Sequence, residues 1–192
     1  MGMTISEKNY RQVVFDTDNP FVSLKFRRFI GEYKLPCSYS LKGRYATFVL
    51  FLTDDQLHIA EEEFFGIQEY CGKKMQHLNE KMAFLSKYFD SVNIYDATGV
   101  GLEVRMKAWE SEPVHISCYC DCNDEFIWET FLRRLQVEVD KPVDYWFYNL
   151  RDIYLMDASK TLNDCKAMAE TIHNRLAACV EAIKSEMEKY MA

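Results

Sequence analysis

Glycine and proline are both scarce in this chain, with 7 and 4 residues among 192. So few glycines exclude collagen-like repeats and argue against glycine-rich phosphate loops and a succession of tight hairpins. No apolar run reaches the roughly 18 residues that a membrane-spanning helix needs. The opening Met1-Gly-Met-Thr-Ile-Ser-Glu-Lys8 has no apolar stretch of the secretory kind. There is no Asn-x-Ser/Thr sequon, and the 7 cysteines are odd in number. Disulfide frameworks belong to smaller, denser secreted domains, so the expected address is the reducing cytoplasm. Gly-x-Ser-x-Gly, His-Glu-x-x-His, a Walker lysine, internal repeats and low-complexity stretches are all missing.

What is present suffices for a folded protein. Hydrophobic residues make up 48% of the chain, charged residues 28% and aromatics 15%, which excludes intrinsic disorder. A length of 192 residues fits one sizeable domain, or a small domain with a helical appendage. The net charge of −7 is unevenly spread. From Pro20 to Leu52, Lys25, Arg27, Arg28, Lys34, Lys42 and Arg44 face the single acid Glu32, so this segment carries +5 and the rest −12. Such a split suits pairing with itself or with a partner of opposite patches, while the acidic remainder repels phosphate and disfavours nucleic acid.

Arg11 to Asp16 reads as a strand. Asn19-Pro20 then supplies a cap and a first-position proline for an amphipathic helix reaching Tyr33. Ser38 to Lys42 and Arg44 to Leu52 form a hairpin around Lys42-Gly43, and the second strand, apolar on both faces, is expected at the centre of its sheet. Thr53-Asp-Asp-Gln56 is a capping box. Leu57, Ala60, Phe64, Ile67 and Cys71 follow at helical spacing, and after one extra step of four to Met75 the rhythm resumes at Leu78, Met82, Leu85 and Phe89. Gly66 and Gly72 cost this helix roughly 1 kcal/mol each, so residues 54–89 are one interrupted helix or two broken near Gly72. Ser91 to Asp96, Gly101 to Trp109 and Val114 to Cys122 read as a three-strand meander. Asn123-Asp124 is expected to cap a helix from Glu125 to about Gln136, and Lys141-Pro142 marks a break before a helical tail.

That tail repeats most regularly. Ala158, Leu162, Cys165, Ala169, Ile172, Leu176, Cys179 and Ile183 follow 4-3-4-3 spacing. This is an apolar seam that serves either the chain's own core or a second chain. Leu162, Ala169, Ile172, Leu176 and Ile183 are its candidate interaction residues.

His115-Ile-Ser-Cys118-Tyr-Cys120-Asp-Cys122 resembles a run of zinc ligands. On a strand, however, alternate residues diverge, and Cys118 and Cys122 stand about 13 Å apart, too far to share one ion. Cysteines 118, 120 and 122 then read as core, with His115, Ser117, Tyr119 and Asp121 on the other face. His115 and Asp121 are about 20 Å apart along the strand and form no dyad. His58, His77 and His173 have no histidine partner at i+4 and read as helix-flank residues. Asp96-Ala-Thr-Gly-Val-Gly101 holds Gly-x-Gly ahead of a strand rather than a helix, so it reads as a turn. Met1-Gly2-Met3-Thr-Ile-Ser6 matches the myristoylation pattern formally, but Met3 reads as the natural start behind a two-residue scar. No metal or cofactor is expected.

Asp96 at a strand end, followed by Glu103-Val-Arg105 on the next strand, resembles the metal-binding core of PD-(D/E)xK nucleases over about a dozen residues. The resemblance implies two carboxylates on Mg²⁺ and a basic residue orienting water. Here Arg105 stands where that family prefers lysine. The same residues suit the solvated face of a strand. The basic, aromatic segment 20–44, with Lys25, Arg27, Arg28, Lys34 and Arg44, offers weak nucleic-acid binding as a further alternative.

The expected fold is α+β: a mainly antiparallel sheet of four to six strands covered by helices, with residues 1–140 as the α+β domain. Residues 141–192 form a C-terminal helical segment packed on that domain or on a partner chain. Element order and acidity are similar to those of small type III secretion chaperones, although these helices are longer. The expected function is a non-enzymatic protein-interaction module (a regulator, inhibitor or assembly factor), with a homodimer as one form. The alternative is a nuclease-like enzyme using Asp96 and Glu103.

Overall fold

A computed structural model describes residues 9–96, 99–154 and 159–191. The first strand, β1 (Arg11–Thr17), leads into helix α1 (Pro20–Glu32). Asn19 starts this helix as its sequence promises. Its side-chain oxygen accepts the Phe21 and Val22 N–H groups at 3.0 and 3.4 Å, and Pro20 fills the first turn, where no N–H is needed. Then come β2 (Cys37–Lys42) and β3 (Tyr45–Leu52), a hairpin whose turn begins at Gly43 with φ of +62°. That left-handed position suits glycine, which has no side chain to clash.

The three strands form one antiparallel sheet in the order β1-β3-β2, so β3 is central as its composition suggested. One face of this sheet is core. Phe15, Ala46, Phe48, Leu50 and Leu52 are buried there, with α1 supplying Phe21, Val22, Phe26, Phe29 and Ile30. Phe26 is the hub of the aromatic packing: its ring lies edge-on to Phe15, Phe48 and Phe64 at 5.2, 5.1 and 4.8 Å. Burying such a side chain contributes roughly 1.5–3 kcal/mol, with more from favourable ring geometry.

Helix α2 (Asp54–Leu85) is continuous through both glycines, which settles the choice between one helix and two. The capping box at its start is formed: Gln56 accepts the Thr53 N–H at 3.1 Å, and its own N–H reaches the Thr53 hydroxyl at 3.4 Å. Buried Ala60, Phe64, Ile67, Cys71, Leu78 and Leu85 carry one apolar stripe along its length. Tertiary packing of that stripe outweighs the propensity cost of Gly66 and Gly72. The chain divides into two compact units within this helix, one ending at His77 and the other starting at Leu78. Residues 141–191 belong with the second.

The second unit holds β4 (Ser91–Asp96), β5 (Val100–Ala108) and β6 (Ser111–Tyr119), followed by α3 (Trp128–Val139), α4 (Val143–Tyr154) and α5 (Leu162–Met191). Its strands are a meander in the order β4-β5-β6. The six strands therefore make two three-stranded sheets, not the single sheet that element order suggested. Burial follows the expected alternation on β5, with Leu102, Val104, Met106 and Ala108 inside, and Val114, Ile116 and Cys118 of β6 inside beside them. Gly101 faces Tyr119 so closely that a Cβ there would stand 2.7 Å from the Tyr119 Cα, hence only glycine fits.

Two local expectations need correction. Strand β6 ends at Tyr119, and the chain turns because the Asp121 carboxylate accepts the N–H groups of Asn123 and Glu125, both at 2.9 Å. Cys122 is therefore exposed rather than on the buried face. The same turn delays the helix: Asp124 has φ of +61°, and α3 begins at Trp128, not Glu125. The tail is two helices, α4 and α5, both packed on the sheet side of their own unit through α3 and β6. Cys165, Ala169, Ile172, Leu176, Cys179 and Ile183 of the heptad seam are all buried within the chain. Ala158 lies outside the described residues.

Candidate functional site

The face of the first sheet turned away from α1 is built by the register. Val14 pairs with Val49, Gln12 with Phe51, and Lys42 with Tyr45, so these residues share one pleat face with Thr47, Ser38 and Ser40. This face is partly apolar and uncovered. Val14 of β1 is 50% exposed, and Tyr45 and Phe51 are 62% and 46% exposed on β3, whose other face is entirely buried.

Strand β2 borders this face as an edge and is exposed along its whole length. In an antiparallel ladder, alternate residues turn their backbone groups toward the neighbouring strand. The Phe51 N–H donates to the Pro36 carbonyl at 3.2 Å, which fixes the phase. Ser38, Ser40 and Lys42 thus face β3, while the N–H and C=O groups of Cys37, Tyr39 and Leu41 face outward. The edge is held firmly from the core side at Tyr39. Its ring lies 5.0 Å from that of Phe48, its hydroxyl is 3.4 Å from the Ser23 hydroxyl, and the Arg27 guanidinium sits over it at 5.1 Å. Cys37 opens the strand with its thiol pushed up by partial desolvation, against which a backbone hydrogen bond at Val49 acts.

The basic residues expected as a patch divide by partner. Lys25 lies over the Tyr70 ring at 5.5 Å, Arg27 over Tyr39, and Arg44 pairs with Asp18 at 3.2 Å. Arg28, Lys34 and Lys42 are exposed. Of these, Lys42 ends β2 and Lys34 lies in the short link between α1 and β2, so two exposed cations flank the edge.

The outer face of the second sheet is different. Glu103 accepts from Arg105 at 3.4 Å and stands 3.4 Å from His115 Nε2, while the other arm of Arg105 binds Glu112 at 2.5 Å. The register places Arg105 opposite His115 and Glu103 opposite Ser117 and Asn93. Glu112, and after it Glu103, hold Arg105 above even its usual high pKa. Asp96 pairs with Val100, three rungs or about 10 Å along the ladder from Glu103. Its side chain lies outside the described residues, so of Asp96, Glu103 and Arg105 the structure brings the last two together. Among the described residues no three His, Cys, Asp or Glu side chains converge as metal ligands. Among them, too, no helix is long and apolar enough to cross a membrane. Residues 1–8, with the formal myristoylation pattern, are outside the described residues.

The remaining candidate is a shallow depression of about 330 Å³ lined by Trp109, Lys160, Asp164 and Thr171, among others. Lys160 stands over the Trp109 ring at 5.6 Å. Asp164 is already engaged by the Thr161 N–H and hydroxyl, both at 2.8 Å, and these bonds hold its carboxyl below its usual range.

Of the five seam residues named as interaction candidates, Ala169, Ile172, Leu176 and Ile183 are buried inside their own unit and Leu162 is exposed. Val14, Tyr45, Phe51 and the backbone of β2 were not among the candidates. For Tyr45 and Phe51 the signal is the two-sided apolarity of β3, which composition alone assigns to a central, buried strand. No family model, curated protein or solved structure matches this chain.

Proposed function

We propose that this protein is a non-enzymatic interaction module, a regulator, inhibitor or assembly factor, whose partner surface is the first sheet rather than the heptad seam. The observation that carries this reading is the pairing of an uncovered, partly apolar face, exposing Val14, Tyr45 and Phe51, with a fully exposed edge strand beside it. Exposed apolar patches of this kind, rimmed by polar residues, mark association sites more often than they persist in isolation. Edge strands are usually blunted by charge, proline or bulges, and β2 carries only Lys42, at its end.

The test is site-specific photocrosslinking in the source cell, with the crosslinker at Phe51 in one strain and at exposed Tyr148 of α4 in another. Discrete adducts from Phe51 alone support the surface. Adducts from Tyr148 alone, or from neither, contradict it.

A second reading has one observation behind it: Glu103, the most buried member of its charged cluster, sits with Arg105 and His115 on one sheet face. In a metal-dependent nuclease, Asp96 and Glu103 would be the ligands. Glu103→Ala should then abolish any Mg²⁺-dependent cleavage, and full retention would dispose of this reading.

A further inference from the structure

Resting on the interaction reading above, we propose that the occupant of the first sheet is an acidic, extended peptide segment of another protein, added as a fourth strand along the open edge of β2. The outward N–H and C=O groups of Cys37, Tyr39 and Leu41 are the template, and pairing them would extend the antiparallel ladder. Tyr39 holds the edge in place through Ser23 and Phe48, so little ordering is needed on binding. Charge selects the occupant. Arg27 stands over Tyr39, Lys42 ends the strand, and Lys34 precedes it, all within a segment of net +5. A second copy of β2 would bring the same cations against these, which disfavours edge-to-edge pairing of two identical chains. An acidic strand meets them with opposite sign.

The experiment is selection of random displayed decapeptides on the full chain, followed by titration of the enriched peptide by fluorescence anisotropy. The expected winners are rich in Asp and Glu alternating with β-branched residues. Proline at position 41 removes an outward N–H and leaves the β3 ladder intact. Leu41→Pro should therefore weaken binding by about fivefold or more relative to Leu41→Ala, the scale of one or two lost hydrogen bonds. N-methylation of alternate peptide amides should have a similar effect on the unaltered protein, which keeps the test valid if Leu41→Pro folds poorly. Lys42→Glu should weaken binding roughly threefold, less at high salt. Winners without acidic enrichment, or acidic winners indifferent to both Leu41→Pro and N-methylation, would overturn strand addition while leaving an interaction module in place. Failure to enrich any peptide would count against both.

Discussion

The two sheets are alike in size and pairing, each with three antiparallel strands, and they differ in what lies on the face away from their helices. In the second sheet that face carries Glu103, Arg105, Glu112 and His115, with Arg105 reaching both carboxylates and His115 Nε2 standing 3.4 Å from Glu103. In the first it carries Val14, Tyr45 and Phe51, which have solvent for a neighbour. The hairpins differ too. Gly43 takes the left-handed position of the β2–β3 turn without strain, whereas Trp109 occupies the same position of the β5–β6 turn at φ of +57°. Ion pairs suit a face that stays in water, whereas exposed aromatics beside an open edge suit one that takes a partner. That contrast is the ground for proposing the first sheet as the binding surface.

The largest expected effect separates the seam from the sheet face. Ile172→Asp with Leu176→Asp places two carboxylates in the core of the second unit, at a cost well beyond about 5 kcal/mol. Near-ultraviolet circular dichroism should show that unit unfolded. The paired change Tyr45→Ser and Phe51→Ser should leave the fold intact. A seam variant that stayed folded would mean that the seam is a surface after all.

A second test compares the two faces of one strand. Phe48→Ala should cost about 3–5 kcal/mol in denaturant unfolding, since Phe48 is fully buried against Phe26 and Tyr39. Phe51→Ala should cost less than about 1 kcal/mol. Equal costs would show that the outer face is covered.

Much of this architecture was legible in the residues, because local chemistry decided it. The Asn19 cap, the Thr53–Gln56 box and the alternation of Leu102, Val104 and Met106 each depend on neighbours a few positions away. Where long-range partners decide, the sequence was ambiguous. Nothing local tells whether β3 and β5 share a sheet, or whether the second apolar side of β3 is buried. Competition between local signals accounts for two further misses. Asp121 turns the chain before Cys122 can continue the strand, and Asp124 adopts a left-handed conformation that displaces the cap expected at Asn123. From Leu162 to Ile183 the 4-3-4-3 spacing does mark one helix, but spacing alone cannot say whose core it fills.

The helix that spans both units supplies a smaller effect. A Cβ added at Gly66 or Gly72 would meet nothing within 4 Å, and neither glycine has a positive φ. Alanine at each should raise stability by up to about 1 kcal/mol, seen as a higher midpoint in thermal unfolding. Destabilisation would show that the helix bends there.

The smallest effect concerns the edge of the second sheet, where Asp90 accepts the Lys107 N–H at 2.7 Å and the Arg175 guanidinium at 3.2 Å. Partial desolvation opposes its ionisation, but the Lys107 N–H and Arg175 together hold its carboxyl below the ordinary 3.8. A depressed folded pKa stabilises above the unfolded value, and the benefit is lost as pH falls through the folded one. The stability gap between the natural protein and Asp90→Asn should accordingly close below about pH 4. A gap independent of pH would place the effect in packing instead.

Amide hydrogen exchange along β2, followed by NMR on the protein alone, tests the central claim most directly. An open edge predicts alternation: fast exchange at Cys37, Tyr39 and Leu41, slow exchange at Ser38 and Ser40, whose N–H groups bond to β3. Uniform protection along the strand would mean that the edge is already occupied, and the account of the first sheet as a waiting surface would fall.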